Sequence, residues 1–577
     1  MAIEGTGLRV SEFNPEWLLD VLAQKEEELL TTYTESNEWQ SVDYNSLSDP
    51  KVAYEILNQA RDAFRLVVEV NLSMHSSLAW LFLLRECPDV LFGGSPGTPA
   101  TSLNLRELAE RSTATAPPRR RSEDEPKLPP RDFRVRVSPP GLTALLEVIA
   151  ATRIVGRLLA LARMAAKGVR FAGTPDFPPL PQPTSPQRNA IARYDRRLNT
   201  ELELIWRPST LRPEKTRKTG PPDLDILKVG RLPRRREQAG DGPHADPLQY
   251  FEVGVTNLSD LFGFNTKAQS HGFGPWYSRT AVPCFLLLSM ALEMVNATPP
   301  SVEALRQKGA FIFTNEALLM ETLARYFDDA LGAARCVFPG AAMPREVRSL
   351  HDELKDVQGS LWPPRPGAFF RQHGETVGVD LCAVTNAFNV ATRMPLISGA
   401  FANHRSSLFE YAVQSAIDDS IWAPDAGLRA MRGRRLLKHG RAITDVDAIG
   451  AHEGTLLLVD CLDNVRDEEA AFTGDYKAYR NMASRLEDKV GGDVAGRGGG
   501  WLQKITVLPG QRGDNWDFST YNNVIPLVVT ASAVYVEEAL VRRPVCVSAL
   551  EIHPGLALAP TLAELRRWLQ DPRRARI

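Results

Sequence analysis

Two neighbouring stretches of this chain place carboxylates where a folded protein rarely keeps them without a cation. Ala442-Ile443-Thr444-Asp445-Val446-Asp447-Ala448-Ile449-Gly450 alternates small or apolar with polar residues, and His452-Glu453-Gly454 reads as a turn. Thr455-Leu456-Leu457-Leu458-Val459-Asp460-Cys461-Leu462 then has the Leu and Val block of a buried central strand. The pattern predicts a β-hairpin with an acid on each arm. Like-charge repulsion and desolvation would both disfavour ionised Asp447 and Asp460 lying side by side. A divalent cation removes that cost. Mg²⁺ or Mn²⁺ accepts carboxylate, carbonyl and water oxygens, so Asp447, Asp460 and the backbone carbonyl of Cys461 form a candidate ligand set, with Glu410 acting directly or through water. The chemistry such a site supports is phosphodiester hydrolysis, which needs a nucleophilic water and neutralised phosphoryl charge.

Just before the hairpin comes Arg432-Gly433-Arg434-Arg435-Leu436-Leu437-Lys438-His439-Gly440-Arg441. Basic runs are commonly solvated faces, but beside a phosphodiester site one suits a nucleic-acid backbone. Arg432, Arg434, Arg435, Lys438 and Arg441 are the expected contacts.

The order of features resembles the PD-(D/E)XK nuclease superfamily, the restriction-endonuclease-like fold, over the last third of the chain. Ser407-Leu408-Phe409-Glu410-Tyr411-Ala412-Val413 opens an amphipathic helix, Asp447 matches the hairpin acid, and Asp460 matches the first residue of the (D/E)-x-K triplet. A helix from about Phe472 to Val490 follows, then strand-like runs at Val524–Thr530 and Val545–Leu550. The third triplet position departs from the family, because Leu462 stands where Lys is expected. The resemblance implies Glu410, Asp447 and Asp460 as catalytic acids, and Lys438 or Lys477 as the amine that replaces the missing one. Glu410 in a first helical turn is also what the helix dipole alone would favour. A catalytically degenerate fold that binds nucleic acid or scaffolds a complex is the alternative, and Leu462 favours it.

The elements that must carry this site suggest an α+β multidomain protein, with a mainly helical N-terminal region before an α/β restriction-endonuclease-like domain. Apolar residues at helical spacing mark residues 12–30, 51–70 and 73–85 within a helical region 1–110. Residues 111–140 are Pro- and charge-rich and read as a linker or disordered insertion. A helical segment spans 141–172, and 173–245 reads as a Pro/Arg-rich flexible insertion. Residues 246–382 read as helical, with the strongest amphipathic signal over 305–331, and 383–577 as the nuclease-like domain.

A net charge of −2 over 577 residues excludes a global basic field, so nucleic acid must be met by local patches. Six cysteines without C-x-x-C pairs or close Cys/His spacing argue against a zinc site or a disulfide framework. Cys461 is expected to pack rather than react. The most apolar run, Ala281 to Leu292, is shorter than the roughly 20 residues a membrane span needs. With no secretory pattern after Met1, the expectation is a cytoplasmic protein without a membrane partner. The helical N-terminal region is a candidate surface for a protein partner.

Overall fold

The computed structural model describes residues 8–93, 136–195 without 193, 225–231, 251–257, 280–296, 311–355 without 339, 369–393 without 374–375, 410–462 without 412 and 416, 500–530 and 546–548, with isolated positions at 105–116, 484, 486, 489 and 535. Within these the fold mixes helix and sheet in three layers of core.

Helix α1 (Pro15–Thr34) begins with Pro at its first turn and the Asn14 side chain accepting from the Glu16 N–H. Helix α2 (Pro50–Leu72) starts in the same way behind Asp49, and Ser76 caps α3 (Ser77–Glu86). The long helix α4 (Pro139–Ala166) is capped by Ser138 and packs along α2 and α1. Its apolar positions, among them Leu145, Ile149, Val155 and Leu158, are fully buried. Burial of this stripe is the main force holding the bundle, at about 25 cal/mol per Å² of apolar surface.

The middle body forms around α5 (Ala281–Asn296), which is apolar on nearly every side and buried on nearly every side. That accounts for the apolar run at Ala281, and among the described residues no single helix is long and apolar enough to cross a membrane. Strands β1 (Asp225–Arg231) and β2 (Phe251–Asn257) pair antiparallel beside it. A second sheet, β3 (Phe311–Asn315), β4 (Phe370–His373) and β5 (Thr376–Asp380), runs in the order β3-β5-β4. Helices α6 (Glu316–Val337) and α7 (Leu381–Arg393) complete this core.

These elements correct several expectations. Residues 246–382 hold the strands β2 to β5 as well as the expected helices. Phe311-Ile312-Phe313-Thr314 are β-formers, and helix begins only where the Asn315 side chain accepts from the Leu318 N–H. Within 173–245, Ile226, Leu227 and Val229 of β1 are buried rather than part of a flexible tract. Helix α7 starts before residue 383 and buries Val384, Ala387 and Phe388 in the middle core, so the C-terminal unit begins after Arg393. Most of the proposed 111–140 linker lies outside the described residues.

One buried ionic knot ties bundle to middle body. Arg85 of α3 reaches Asp380, at the end of β5, at 3.0 Å and Glu110 at 3.2 Å. Asp380 also accepts from the N–H groups of Cys382 and Ala383, which caps α7. Removing the guanidinium leaves two buried carboxylates with only the neighbouring buried Arg371 to offset them, so Arg85→Met is expected to cost about 3 kcal/mol. Urea denaturation of the two proteins measures it.

In the C-terminal unit, β6 (Arg434–Lys438) and β7 (Arg441–Val446) form an antiparallel ribbon. The four-stranded sheet that follows has the order β8 (Ala448–His452), β9 (Thr455–Leu462), β10 (Asn523–Thr530), β11 (Cys546–Ser548). The first pair is antiparallel and the next two are parallel. The expected turn joins β8 to β9, with Glu453 and Gly454 at φ 43° and 75°. The expected first arm is in fact two strands, which change partners at Asp447.

Candidate active site

Asp447 occupies the single position between ribbon and sheet. Its N–H donates to the Val459 carbonyl at 3.0 Å, and its Oδ2 accepts from the Cys461 N–H at 2.7 Å. The two bonds bracket Asp460 on the neighbouring strand, which brings the Asp447 and Asp460 carboxyls close enough to act on each other's ionisation. Asp460 follows Leu456 and Leu458 on the face of β9 that lines the core, and is only 4% exposed. Burial raises the Asp447 carboxyl well above the ordinary carboxylate range; the Cys461 N–H opposes this, and repulsion from Asp460 and Glu410 adds to it.

Glu410 arrives by a clamp one helical turn away. Gln414 donates to the Ile449 carbonyl at 2.9 Å and accepts from the Ile449 N–H at 2.8 Å, which closes the free edge of β8. Four residues of helix rise about 6 Å, and two residues of strand about 6.6 Å. Glu410, four residues before Gln414, therefore comes alongside Asp447, two residues before Ile449, and the two carboxyls repel. Close approach here needs Gly450, where a Cβ would lie 2.6 Å from the Trp422 carbonyl oxygen.

The amine at the site is Lys489. Its Nζ lies 2.8 Å from Asp460 Oδ2, with Asp445 and Asp447 also close. Burial works against its charge, but the three aspartates outweigh that and hold the ammonium above the ordinary lysine value. Leu486, three residues earlier on the same helical segment, is buried in the core under the sheet. That spacing turns Lys489 to the acids.

Of the two expected amines, Lys438 falls elsewhere. Lys438 Nζ donates to Gln511 at 2.7 Å, on the loop that supports the ribbon. Lys477 lies outside the described residues. The structure does bring together Glu410, Asp447, Asp460 and Cys461. Burial pushes the Cys461 thiol well above its ordinary value, in keeping with a packing role. Arg432 stacks over Tyr411 at 5.2 Å and acts on the same cluster, and its Nη1 is shielded from solvent without a hydrogen-bond partner. Arg434, Arg435 and Arg441 lie on the ribbon, where Arg435 is the cross-strand partner of Asp445 and Arg441 stands at the tip end. Gln414, Lys489 and Asp445 are the residues of this cluster that motif spacing missed. The signal for Lys489 was its spacing from Leu486.

Among the described residues, Glu410, Asp447 and Asp460 act on one another, the exposed Asp445 acts on Lys489, and Arg432 acts on the neighbouring Cys461. Among the described residues no three His, Cys, Asp or Glu side chains form a ready cage. A site of two carboxylates completed by carbonyl and water oxygens is nonetheless one that Mg²⁺ accepts.

No protein-family model matches this chain, and no curated protein or solved structure does either.

The raised Asp447 value has a stability consequence. In the unfolded chain an Asp titrates near 4. Between that value and the folded one, the folded state binds the extra proton, so stability falls as pH rises through this window. Asp447→Asn removes the cost and is expected to raise stability without metal by about 1 kcal/mol or more, each pKa unit being worth about 1.4 kcal/mol. Its advantage grows from acid toward alkaline pH. Thermal melts in EDTA across that range check the slope, and Mn²⁺ should raise the melting temperature of the parent alone.

Proposed function

We propose that this chain is a divalent-metal-dependent nuclease of the PD-(D/E)XK type, acting on phosphodiester bonds. The observation that carries the reading is the desolvated Asp447–Asp460 pair, Asp460 on a central strand of a mixed sheet and Asp447 at the bend leading into its neighbour, with an ammonium 2.8 Å from Asp460. Asp447 and Asp460 would hold Mg²⁺ or Mn²⁺, with the Cys461 carbonyl and Glu410 contributing directly or through water. Such an ion, when bound, supplies an activated water and neutralises phosphoryl charge.

The protein's own groups do the rest. Lys489 stays protonated, so it donates rather than accepts: it orients a water and screens a phosphoryl oxygen instead of serving as general base. It thereby takes the place that Leu462 leaves vacant. Arg432, held by its stack on Tyr411, offers Nη1 to a phosphoryl oxygen. The Cys461 thiol remains neutral and takes no part as a nucleophile. The helical N-terminal body is the natural place for selecting a substrate or protein partner.

A second reading has its own support. The Lys489–Asp460 pair already supplies the acids with a cation, as expected in a degenerate fold that binds nucleic acid without cutting. Cleavage assays on labelled DNA and RNA, in Mg²⁺, Mn²⁺ or EDTA, separate the two. The nuclease reading expects metal-dependent cleavage by the parent and none above background by Asp460→Asn. For Lys489→Ala it expects a loss of about 10²-fold or more, the usual scale for a group assisting proton transfer or developing charge. Binding without cleavage by a metal-loaded parent would favour the degenerate fold.

A further inference from the structure

The β6–β7 ribbon is built more firmly than a solvated basic hairpin requires. At its tip His439 and Gly440 both have positive φ, 53° and 71°, the two-residue turn whose twist matches that of its strands. Asp514 accepts from both tip N–H groups, at 3.1 and 2.8 Å. The Gly440 N–H, first, and then the His439 N–H keep its carboxyl below the ordinary value, so it remains a charged anchor. Asn515 bridges Arg435 and Leu437, donating to one carbonyl and accepting from the other N–H, each at 2.9 Å. The Trp516 indole donates to the Leu437 carbonyl at 3.0 Å, and a Cβ on Gly513 would lie 2.1 Å from that indole nitrogen. Leu436 is buried beneath, against the sheet core.

This scaffolding holds out a row of cations. Arg434, Arg435 and Arg441 are exposed, and the equally exposed Asp445 is the cross-strand neighbour of Arg435. The chain runs straight from β7 into Asp447, so ribbon and acids keep a fixed relation over six residues, about 20 Å.

We propose that this ribbon lies in the major groove of duplex DNA. The inference rests on the nuclease reading only for what lies beside the groove. A two-stranded antiparallel ribbon fits the major groove of B-DNA, about 12 Å wide, and arginines there can reach phosphates and guanine edges. Duplex RNA has a deep, narrow major groove that excludes it. Single strands are gripped by stacking on aromatic rings, and no Phe, Tyr or Trp occurs from Arg432 to Val446.

The test is fluorescence anisotropy with the full chain in EDTA, on a labelled DNA duplex, one of its strands and an RNA duplex of the same sequence. The expected result is at least about tenfold tighter binding of duplex DNA. Arg435→Glu/Arg441→Glu should weaken it about tenfold or more and lower the salt-dependence slope by about 2, one per lost phosphate contact. Arg325→Glu/Arg335→Glu, the same charge change on α6, should leave it unaltered. Methylating guanine N7, a major-groove atom, should interfere. Should the double reversal not fold, Arg435→Gln/Arg441→Gln carries the same expectation. Equal affinity for the three nucleic acids, full binding by a folded ribbon variant, or interference only from the minor groove overturns the proposal. Mn²⁺ calorimetry on the same preparations keeps the two readings apart. Duplex binding that depends on the ribbon, without metal binding or cleavage, supports the ribbon and overturns the nuclease.

Discussion

The C-terminal unit is organised around the repulsion between Asp447 and Asp460. Two carboxylates held together at the end of a buried strand are unfavourable in isolation, because both desolvation and like charge oppose ionisation. The surrounding structure relieves this without separating them. The Cys461 N–H fixes one Asp447 oxygen, and Lys489 answers one Asp460 oxygen. Glu410 adds negative charge where a purely structural solution would have removed it. On the proposed nuclease reading, a bound cation would be the partner that this partly compensated pair lacks.

The supporting elements follow from this constraint. The strand change at Asp447 turns the backbone from ribbon to sheet, which lets its N–H and its carboxylate bind on either side of Asp460. The Gln414 clamp serves two ends: it satisfies the edge of β8, an otherwise open hydrogen-bonding row, and sets the height of Glu410 against Asp447. Gly450 permits that approach by leaving room for the Trp422 carbonyl. The ribbon, pinned by residues 511–518, enters the site from the other direction.

Much of this was legible in the sequence, and the reasons differ by element. Asp447 and Asp460 could be read because strand alternation and the Leu-Leu-Leu-Val block are local patterns, as is the His452-Glu453-Gly454 turn. Helices α2 and α4 were readable from the helical spacing of their apolar residues. Strand β1 was hidden because its apolar residues sit in a Pro/Arg-rich tract, and their burial depends on α5, about 50 residues away in the chain. Strand β3 was hidden because Phe311-Ile312-Phe313 runs straight into an amphipathic helix, and one period masked the other. Gln414 and Lys489 could not be assigned by motif spacing, since their roles depend on which strand a helix meets and at what height.

On the proposed nuclease reading, Leu462 in place of the expected lysine is physically coherent in this sheet. Leu462 lies two residues beyond Asp460, on the same face, and packs against the core that includes Leu486, Trp501 and Val528. An apolar residue there extends the surface on which the Leu486 segment rests. That segment then presents Lys489, one helical turn further on, to Asp460. A lysine at 462 would have brought a second ammonium toward the same carboxylate and lost apolar contact with the helix beneath. Moving the amine from strand to helix thus exchanges one strand position for a larger core and keeps an ammonium beside Asp460. The apolar residue at the motif position and the lysine on the helix are two halves of one packing solution, and Leu462 by itself is therefore weak evidence that the site has lost its chemistry.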